Sequence, residues 1–335
     1  MSSTLFAFGS NGSGQLGLGH NDDTAFPQLV TQNEAHIAQI AAGGNHTIVL
    51  YTDGEANCYG SNTSGQGGQL SQAAASAWTQ VAATWTASIL LHQDGTIFTC
   101  GEGLSGELGL GGEKQQTQEL TRIPSFPPQG TSVARISSSM AHIIAVLSNG
   151  EVWGWGKNRK GQLGEPAIDV WSPRKVEGLP FAAAKAVCGK DFTYIVSAHG
   201  ERKAHLLGLP KNDRFGLRAS LPRRMPDWKD IAASWGSVFV LKDNGELHGF
   251  GRNDHGQLPP TRLPTVTAIA PGSEHCLALT ASGKVLAWGW GEHGNCGEPT
   301  DERGDVNGRW IEMEVHGQIA SIAAGCATSF LVVTG

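Results

Sequence analysis

Three features are missing from this 335-residue sequence, and each absence argues against a class of protein. No run of about 18 apolar residues is present, so no membrane-spanning helix is expected. The opening residues, MSSTLFAFG, have neither the basic start nor the apolar core of a signal peptide, so none is expected. We expect the protein in the cytoplasm and nucleus. No long Lys/Arg run occurs, and the net charge is −6. Nucleic-acid binders need a basic face, so direct DNA binding is not expected.

Cysteine is also scarce, and its spacing argues against disulfide and zinc sites. The six cysteines lie far apart, and none forms a Cys-x-x-Cys pair. Without a secretion signal, free thiols in a reducing compartment are the simpler interpretation. One His-x-x-Cys spacing, His293 to Cys296, stands alone, whereas zinc takes four ligands, commonly in short-spaced pairs. We therefore predict no metal and no cofactor.

Glycine and tryptophan, by contrast, are abundant. The chain has 46 Gly, about 14% of its residues and roughly twice the usual ~7%. The ten Trp are enough for a substantial core, whereas disordered chains are poor in aromatic residues. The sequence therefore predicts a folded protein with many tight turns.

One nine-residue phrase recurs along the whole chain. It reads GSNGSGQLG at residues 9–17 and returns about every 47 residues, which is the signature of a repeat architecture. The other copies are GSNTSGQGG (60–68), GEGLSGELG (101–109), GKNRKGQLG (156–164), GRNDHGQLP (251–259), GWGEHGNCG (289–297) and a decayed GLPKNDRFG (208–216).

A second pattern precedes each phrase and predicts three short strands. In residues 37–60, IAQIAAGGNHTIVLYTDGEANCYG, an apolar strand ends in Ala-Gly and a second apolar strand follows. A hairpin turn then leads to a third strand. Asp-Gly and Asn-Gly suit such turns because glycine accepts positive φ angles. The predicted hairpins lie at Asp53-Gly54, Asp94-Gly95, Asn149-Gly150, Asn244-Gly245 and Ser282-Gly283.

Seven repeats of three or four strands predict an all-β fold, a seven-bladed β-propeller that forms one domain over residues 1–335. The C-terminal residues 319–333 supply only the first two strands of a unit. The N-terminal residues 4–9 supply the missing third strand. We therefore expect the N-terminal strand to complete the last blade and close the ring.

These phrases resemble the repeat of the regulator-of-chromosome-condensation family over the whole chain. Several loops, such as GGNH at 43–46 and WGWGEHGNCG at 288–297, are similar to the fungal alpha-tubulin suppressor branch of that family. That resemblance implies a non-catalytic propeller that forms a heterodimer with a small zinc-ribbon, iron-binding protein. It also implies support for diphthamide synthesis on elongation factor 2 and for Elongator-dependent modification of the tRNA wobble uridine.

Antiparallel strands place two sets of loops on one face: those after each first strand and those carrying the repeated phrase. Binding residues collect on such loops, and Trp and His are common in protein interfaces. The partner-binding candidates on this face are His46, Trp85, His142, Lys190, Asp191, Phe192, Trp235, His255, Glu274, His275, Trp290, Glu292 and His293.

Structural interpretations compete with binding at several of these positions. The histidines of the Gly-x-x-His loops, His46, His142 and His275, fit hydrogen bonds that join one blade to the next. Trp153, Trp155 and Trp288 fit the core between blades. Cys296 stands where other copies have Leu, a buried type of position.

Two alternative functions remain open. Guanine-nucleotide exchange on a small GTPase is what the founding family member does, although the basic chromatin tail of that protein has no counterpart here. An enzyme is the weakest alternative, because no third group fixes a Cys-His pair and no phosphate-binding Gly-Lys-Ser/Thr loop occurs. We expect no catalytic residues.

Overall fold

The computed structural model describes residues 3–68, 70, 77–209, 211–222 and 224–334. In this part of the chain the secondary structure is almost entirely β. The first strands are β1 (Ser3–Gly9), β2 (Thr24–Asn33), β3 (Ile37–Ala42), β4 (His46–Tyr51), β5 (Ala56–Gly60), β6 (Trp78–Ala83), β7 (Ala87–His92), β8 (Ile97–Glu102), β9 (Gln116–Arg122), β10 (Val133–Ser138), β11 (His142–Leu147), β12 (Val152–Gly156) and β13 (Val170–Lys175).

The remaining elements are twelve strands and one short helix among the described residues. They are β14 (Ala183–Cys188), β15 (Phe192–Ser197), β16 (Ala204–Gly208), α1 (Leu217–Ser220), β17 (Asp230–Ala233), β18 (Ser237–Leu241), β19 (Leu247–Gly251), β20 (Val266–Pro271), β21 (His275–Thr280), β22 (Val285–Trp290), β23 (Asp305–Met313), β24 (Gln318–Ala324) and β25 (Thr328–Thr334). No helix of the described chain is long and apolar enough to cross a membrane.

The strands form seven antiparallel sheets of three or four strands, which confirms the predicted seven-bladed propeller class. The chain divides into two compact units. The first unit holds residues up to Ala38, Phe215–Leu221 and the chain from Asp227 onward; its sheets are β2-β1-β25-β24, β17-β18-β19 and β20-β21-β22-β23. The second unit holds Gln39–Arg214 and Pro222–Pro226, with the sheets β3-β4-β5, β6-β7-β8-β9, β10-β11-β12-β13 and β14-β15-β16.

The second strand of each blade supplies the core. All six residues of β4, β11 and β15 are buried, as are the five of β18. These strands have hydrogen-bonded neighbours on both edges and are buried on both faces. Their sequences are therefore nearly continuous runs of apolar residues. In the second unit this packing joins Ile89, Ile144 and Ile195 of successive blades into one apolar cluster.

The N-terminal strand completes the last blade, as the sequence predicts. β1 pairs with β25 in full antiparallel register, from Ser3 opposite Thr334 to Gly9 opposite Thr328. β25 pairs in turn with β24, so the sheet order is β2-β1-β25-β24. Strands from both ends of the chain are therefore held in one sheet of the first unit.

The predicted hairpins are present, with one refinement of the turn type. Gly54 lies at φ +86°, and its N–H bonds to the Tyr51 carbonyl over 3.0 Å. Tyr51 N–H also bonds to the Glu55 carbonyl, which closes a three-residue loop. Asp53 contributes through its side chain, since Oδ1 accepts the Glu55 N–H over 3.0 Å. Only the glycine takes a positive φ, which is typical of a type I turn followed by a bulge.

Side chains of the repeated phrase form hydrogen bonds within their own loop. In the copy at 156–164, Asn158 Oδ1 accepts the Leu163 N–H over 2.7 Å. Gln162 Oε1 accepts the Lys160 N–H over 3.0 Å. The same pair of contacts recurs at Asn11 with Gln15. The Asn and Gln of the phrase therefore hold the loop's shape, and this explains why they repeat.

Candidate functional site

The three histidines of the Gly-x-x-His loops join adjacent blades. His142 Nε2 lies 3.0 Å from Thr193 Oγ1 in the next blade, and this hydroxyl donates to the Gln162 carbonyl over 2.7 Å. The other two histidines repeat the arrangement. His46 Nε2 lies 3.1 Å from Ser88 Oγ, which donates to Gln66 O, and His275 Nε2 lies 2.9 Å from Ser329 Oγ, which donates to Asn295 O.

This geometry assigns the histidine tautomer. Each hydroxyl has a single proton and gives it to a carbonyl, so it must accept from the imidazole Nε2–H. The Nδ1 atoms of His46, His142 and His275 have no hydrogen-bond partner among the described residues. Burial lowers the pKa of His142 to about 3 and those of His46 and His275 to about 4. The imidazoles are therefore neutral structural donors.

These positions change the list of partner-binding candidates. His46, His142 and His275 are at most 1% exposed, so we remove them from the proposed binding surface. These histidines have the geometry of the structural interpretation, in which each forms a hydrogen bond to the next blade. Phe192 is also fully buried, because it occupies the position that His142 takes one blade earlier. Its ring covers Gly189, where an added Cβ would lie 2.0 Å from Phe192 Cε1.

Two carboxylates on the list are mostly internal as well. Asp191 is 5% exposed and forms an ion pair with Arg214. Glu274 is 8% exposed, and its two oxygens accept from Arg252 Nη1 over 2.6 Å and from Gln257 Nε2 over 2.8 Å. Burial raises the pKa of the Glu274 carboxyl, and the bonds to Gln257 and Arg252 oppose that rise. Both carboxylates hold loops in place rather than meet solvent.

Trp290 is the centre of an accessible aromatic surface in the first unit. Its side chain is half-buried, and its ring meets that of His293 edge to face at 5.3 Å between centroids. His255 approaches the same indole at 6.5 Å. The backbone N–H of Trp290 donates to the backbone carbonyl of Glu274 over 2.9 Å, and Asn295 Nδ2 donates to the backbone carbonyl of Trp290 over 2.7 Å. A half-exposed tryptophan on a fixed backbone is a typical anchor for a protein partner.

Carboxylates orient both flanking histidines. His255 Nδ1 lies 3.0 Å from Asp305 Oδ1, and the Asp305 carboxylate is 1% exposed. His293 Nδ1 lies 2.8 Å from Asp23 Oδ2. Each carboxylate fixes its imidazole through Nδ1, so that Nε2 points away from the carboxylate. We define the Trp290 surface as His255, Trp290, Glu292 and His293, of which Glu292 is exposed.

A chain of backbone bonds links the first-strand loops in each unit. In the first unit the Trp235 N–H bonds to Ser273 O, and the Ser273 N–H bonds to Gly325 O. In the second unit the Gly44 N–H bonds to Trp85 O, and the Trp85 N–H bonds to Met140 O. These links hold the loops in fixed relative positions within a unit.

The remaining candidates are partly accessible. Trp85 is 37% exposed, and its indole lies against Gly44, where an added Cβ would be 2.6 Å from Trp85 Cδ2. Trp235 and Lys190 are half-buried. Trp85 and Lys190 belong to the second unit, and Trp235 belongs to the first. Trp235 therefore shares a unit with the Trp290 surface.

The cysteines and core tryptophans lie where the repeat places them. All six cysteines are free thiols. Cys296 is fully buried, with Sγ 3.5 Å from Trp290 O, and burial raises its pKa. Trp155 and Trp288 are fully buried and donate to Glu107 O and Gln257 O of the preceding blade. Among the described residues, no three His, Cys, Asp or Glu side chains are grouped to hold a metal ion.

Two levels of comparison with known proteins agree with this architecture. The family model for the RCC1-like domain matches residues 4–331, so the chain belongs to the RCC1-like domain family. An RCC1 repeat-containing protein of Schizosaccharomyces pombe is 30% identical, over 98% of each chain. The secretion-regulating guanine nucleotide exchange factor of Mus musculus is 28% identical, over 89% of this chain and 76% of that protein.

A solved structure shows the same fold. Prp20p of Saccharomyces cerevisiae superposes with a TM-score of 0.84 at 20% identity, covering 100% of this chain and 92% of that one. At this identity the likeness establishes the propeller fold alone.

Sequence reasoning missed the hydroxyl partners of the histidines, although the signal was present. In the second unit His46 is followed one blade on by Ser88, and His142 by Thr193. The intervening blade has Ala87 at the histidine position, and Ile143 follows it. In these blades a hydroxyl residue therefore follows a histidine and accepts its hydrogen bond, and an aliphatic residue follows where the histidine is replaced by alanine.

Proposed function

We propose that this chain is a non-catalytic protein-binding propeller that uses the Trp290 surface to form a heterodimer. Its partner is a small zinc-ribbon, iron-binding protein needed for diphthamide synthesis on elongation factor 2. The complex also supports Elongator-dependent modification of the tRNA wobble uridine, in the cytoplasm and nucleus. The observation that carries the binding role is the half-exposed Trp290, held between two histidines that carboxylates orient.

The choice of partner is supported by the loop resemblance noted in the sequence. The phrase around Trp290 departs from the repeat at residues 290, 292 and 293, and no side chain at these positions forms the Asn and Gln hydrogen bonds that hold the loop in other copies. A residue that the scaffold does not need is free to serve recognition. The proposed role is that of a lid, in which Glu292 and His293 lie near the partner's metal and limit access to it.

The test is titration calorimetry of this chain with the purified zinc-ribbon protein, where a one-to-one complex is expected. Trp290→Ala and Glu292→Lys should each weaken binding by about tenfold or more, because central aromatic anchors and complementary charges carry interface energy. Glu119→Lys makes the same charge change at an exposed site of the second unit and is the matched control. Unchanged affinity in both Trp290-surface variants would reject the assignment of the surface.

Guanine-nucleotide exchange on a small GTPase is the second candidate. It is supported by the 28% identity to a relative whose name describes that activity. A propeller surface that grips the GTPase would open its nucleotide site without any catalytic residue of its own. The test is release of a fluorescent guanine nucleotide from a Ran-type GTPase. Acceleration at catalytic amounts of this chain would favour exchange, and the basal release rate would exclude that substrate.

A further inference from the structure

A groove in the first unit, separate from the Trp290 surface, lies between the edge strands of two blades. It encloses about 290 Å³ and is lined by Phe26 and Pro27 of β2 and by Ile311 and Met313 of β23. Gly297 also lines the groove and packs against Met313, since a Cβ there would lie 2.4 Å from Met313 Cε. A volume just below the ~300 Å³ of small drug-sized pockets suits one or two peptide side chains.

The apolar residues on β2 are not required by the fold. Counting from the paired residues on either side aligns Phe26 with Glu119 of β9 and Ser172 of β13, which are both exposed polar residues. The same registers align Leu29 with Arg122, Lys175 and Glu312. Phe26 is nevertheless 63% exposed and Leu29 is 57% exposed. Large apolar side chains on an open strand where the repeat has polar ones indicate an interaction surface.

Carboxylates surround the apolar floor of the groove. Glu298, Glu312 and Glu314 all line it and are exposed. Lys284 pairs with Glu312 over 2.8 Å. Across the described residues, Glu298 and Glu314 have no ion-pair partner within 4.0 Å. The groove therefore combines an apolar floor with uncompensated negative charge.

From this combination we infer that the groove binds an extended basic peptide segment of a partner protein. One apolar side chain of the segment packs on Phe26 and Met313, and flanking Lys or Arg residues pair with Glu298 and Glu314. The apolar contact supplies affinity, and the charges set orientation and select against acidic segments.

Fluorescence polarisation with four labelled pentapeptides tests this site. The peptides are Lys-Arg-X-Lys-Arg, with Leu, Phe, Trp or Ser at the centre. The three apolar peptides should bind at least about tenfold more tightly than the Ser peptide. Phe26→Ser should remove that preference, and Glu314→Lys should weaken all four peptides. Leu104→Ser and Glu119→Lys are matched controls at exposed sites of the second unit and should bind as the wild type does.

Three outcomes would overturn the proposal. One is equal binding of the Ser and apolar peptides, which means charge attraction alone. Another is an apolar preference that survives Phe26→Ser in a variant with an unchanged circular dichroism spectrum, which places the peptide elsewhere. The third is no saturable binding of any of the four peptides at millimolar concentration. None of these outcomes bears on the zinc-ribbon partner, whose contact residues are different.

Discussion

His142 donates a hydrogen bond of 3.0 Å to Thr193 of the next blade, and both side chains are fully buried. The Thr193 hydroxyl in turn donates a hydrogen bond to the backbone carbonyl of Gln162. His142 therefore bonds to Thr193 of the next blade, and Thr193 bonds back to the repeated loop of the blade that holds His142. The same relay at His46 and His275 makes it a recurring device for fixing blades to each other.

Removing the hydroxyl of this relay should cost stability. Thr193→Val leaves the His142 Nε2–H and the Gln162 carbonyl unpaired in the interior, at a cost of about 2–4 kcal/mol. The double variant His142→Ala/Thr193→Ile copies the Ala87 and Ile143 pair found in the same unit. Urea unfolding should show that this double variant is more stable than the sum of its single variants predicts. Additive losses would mean that the relay does not couple the two residues.

The buried histidines should also make stability depend on pH. Their folded pKa values of about 3 to 4 lie below the unfolded value of 6.5. The unfolded chain therefore binds more protons between these pH values. The contribution of the histidines to the free energy of unfolding is fully present above pH 6.5 and is lost as the pH drops toward 4. Each histidine contributes a slope of about 1.4 kcal/mol per pH unit.

Urea unfolding of His142→Gln at pH 7.0 and pH 5.0 measures this effect. The variant should lose about 2 kcal/mol less than the wild type between the two pH values. His316→Gln, an exposed position in the first unit, is the matched control. An unchanged loss in His142→Gln would show that this imidazole does not contribute to the acid sensitivity.

The first glycine of the repeated phrase should not tolerate a side chain. Gly156 has φ +101°, and an added Cβ would lie 2.6 Å from the Ala141 carbonyl oxygen. Gly156→Ala should therefore cost about 2–5 kcal/mol through backbone strain and overlap. Gly12→Ala is the control, because no atom lies within 4 Å of the Cβ position. Thermal melting should separate the two variants clearly, and similar melting temperatures would contradict the close packing of this strand end.

Charge reversal at the two glutamates of the candidate list should have different consequences. Glu274→Lys places an ammonium beside Arg252 in a nearly buried position, so it should destabilise the fold by about 3–5 kcal/mol. Glu292→Lys changes an exposed side chain and should leave the melting temperature within about 1 °C of the wild type. Equal melting temperatures for the two variants would contradict the internal role of Glu274.

Repetition explains how much of the fold was predictable. The seven phrases, the hairpin glycines and the shared last blade follow from local patterns, and the structure contains the hairpins and the shared blade; one phrase, 208–216, includes position 210, which lies outside the described residues. Burial of Asp191 and Glu274 did not follow, because it depends on Arg214 and Arg252, which lie about twenty residues away in the chain. Phe192 stands at the repeat position of the buried His142, so the register of the repeat indicates its burial although its residue type differs.

The most direct test of binding through the Trp290 surface is to locate the partner on the protein. A photo-crosslinking amino acid replaces Glu292 in one variant and Leu104 in another, and each variant is irradiated with the zinc-ribbon protein at equal concentration. Binding through the Trp290 surface predicts a crosslinked heterodimer from position 292 and none from position 104, which is also exposed. Crosslinking from position 104 alone, or from neither position while calorimetry still shows a complex, would contradict binding through the Trp290 surface.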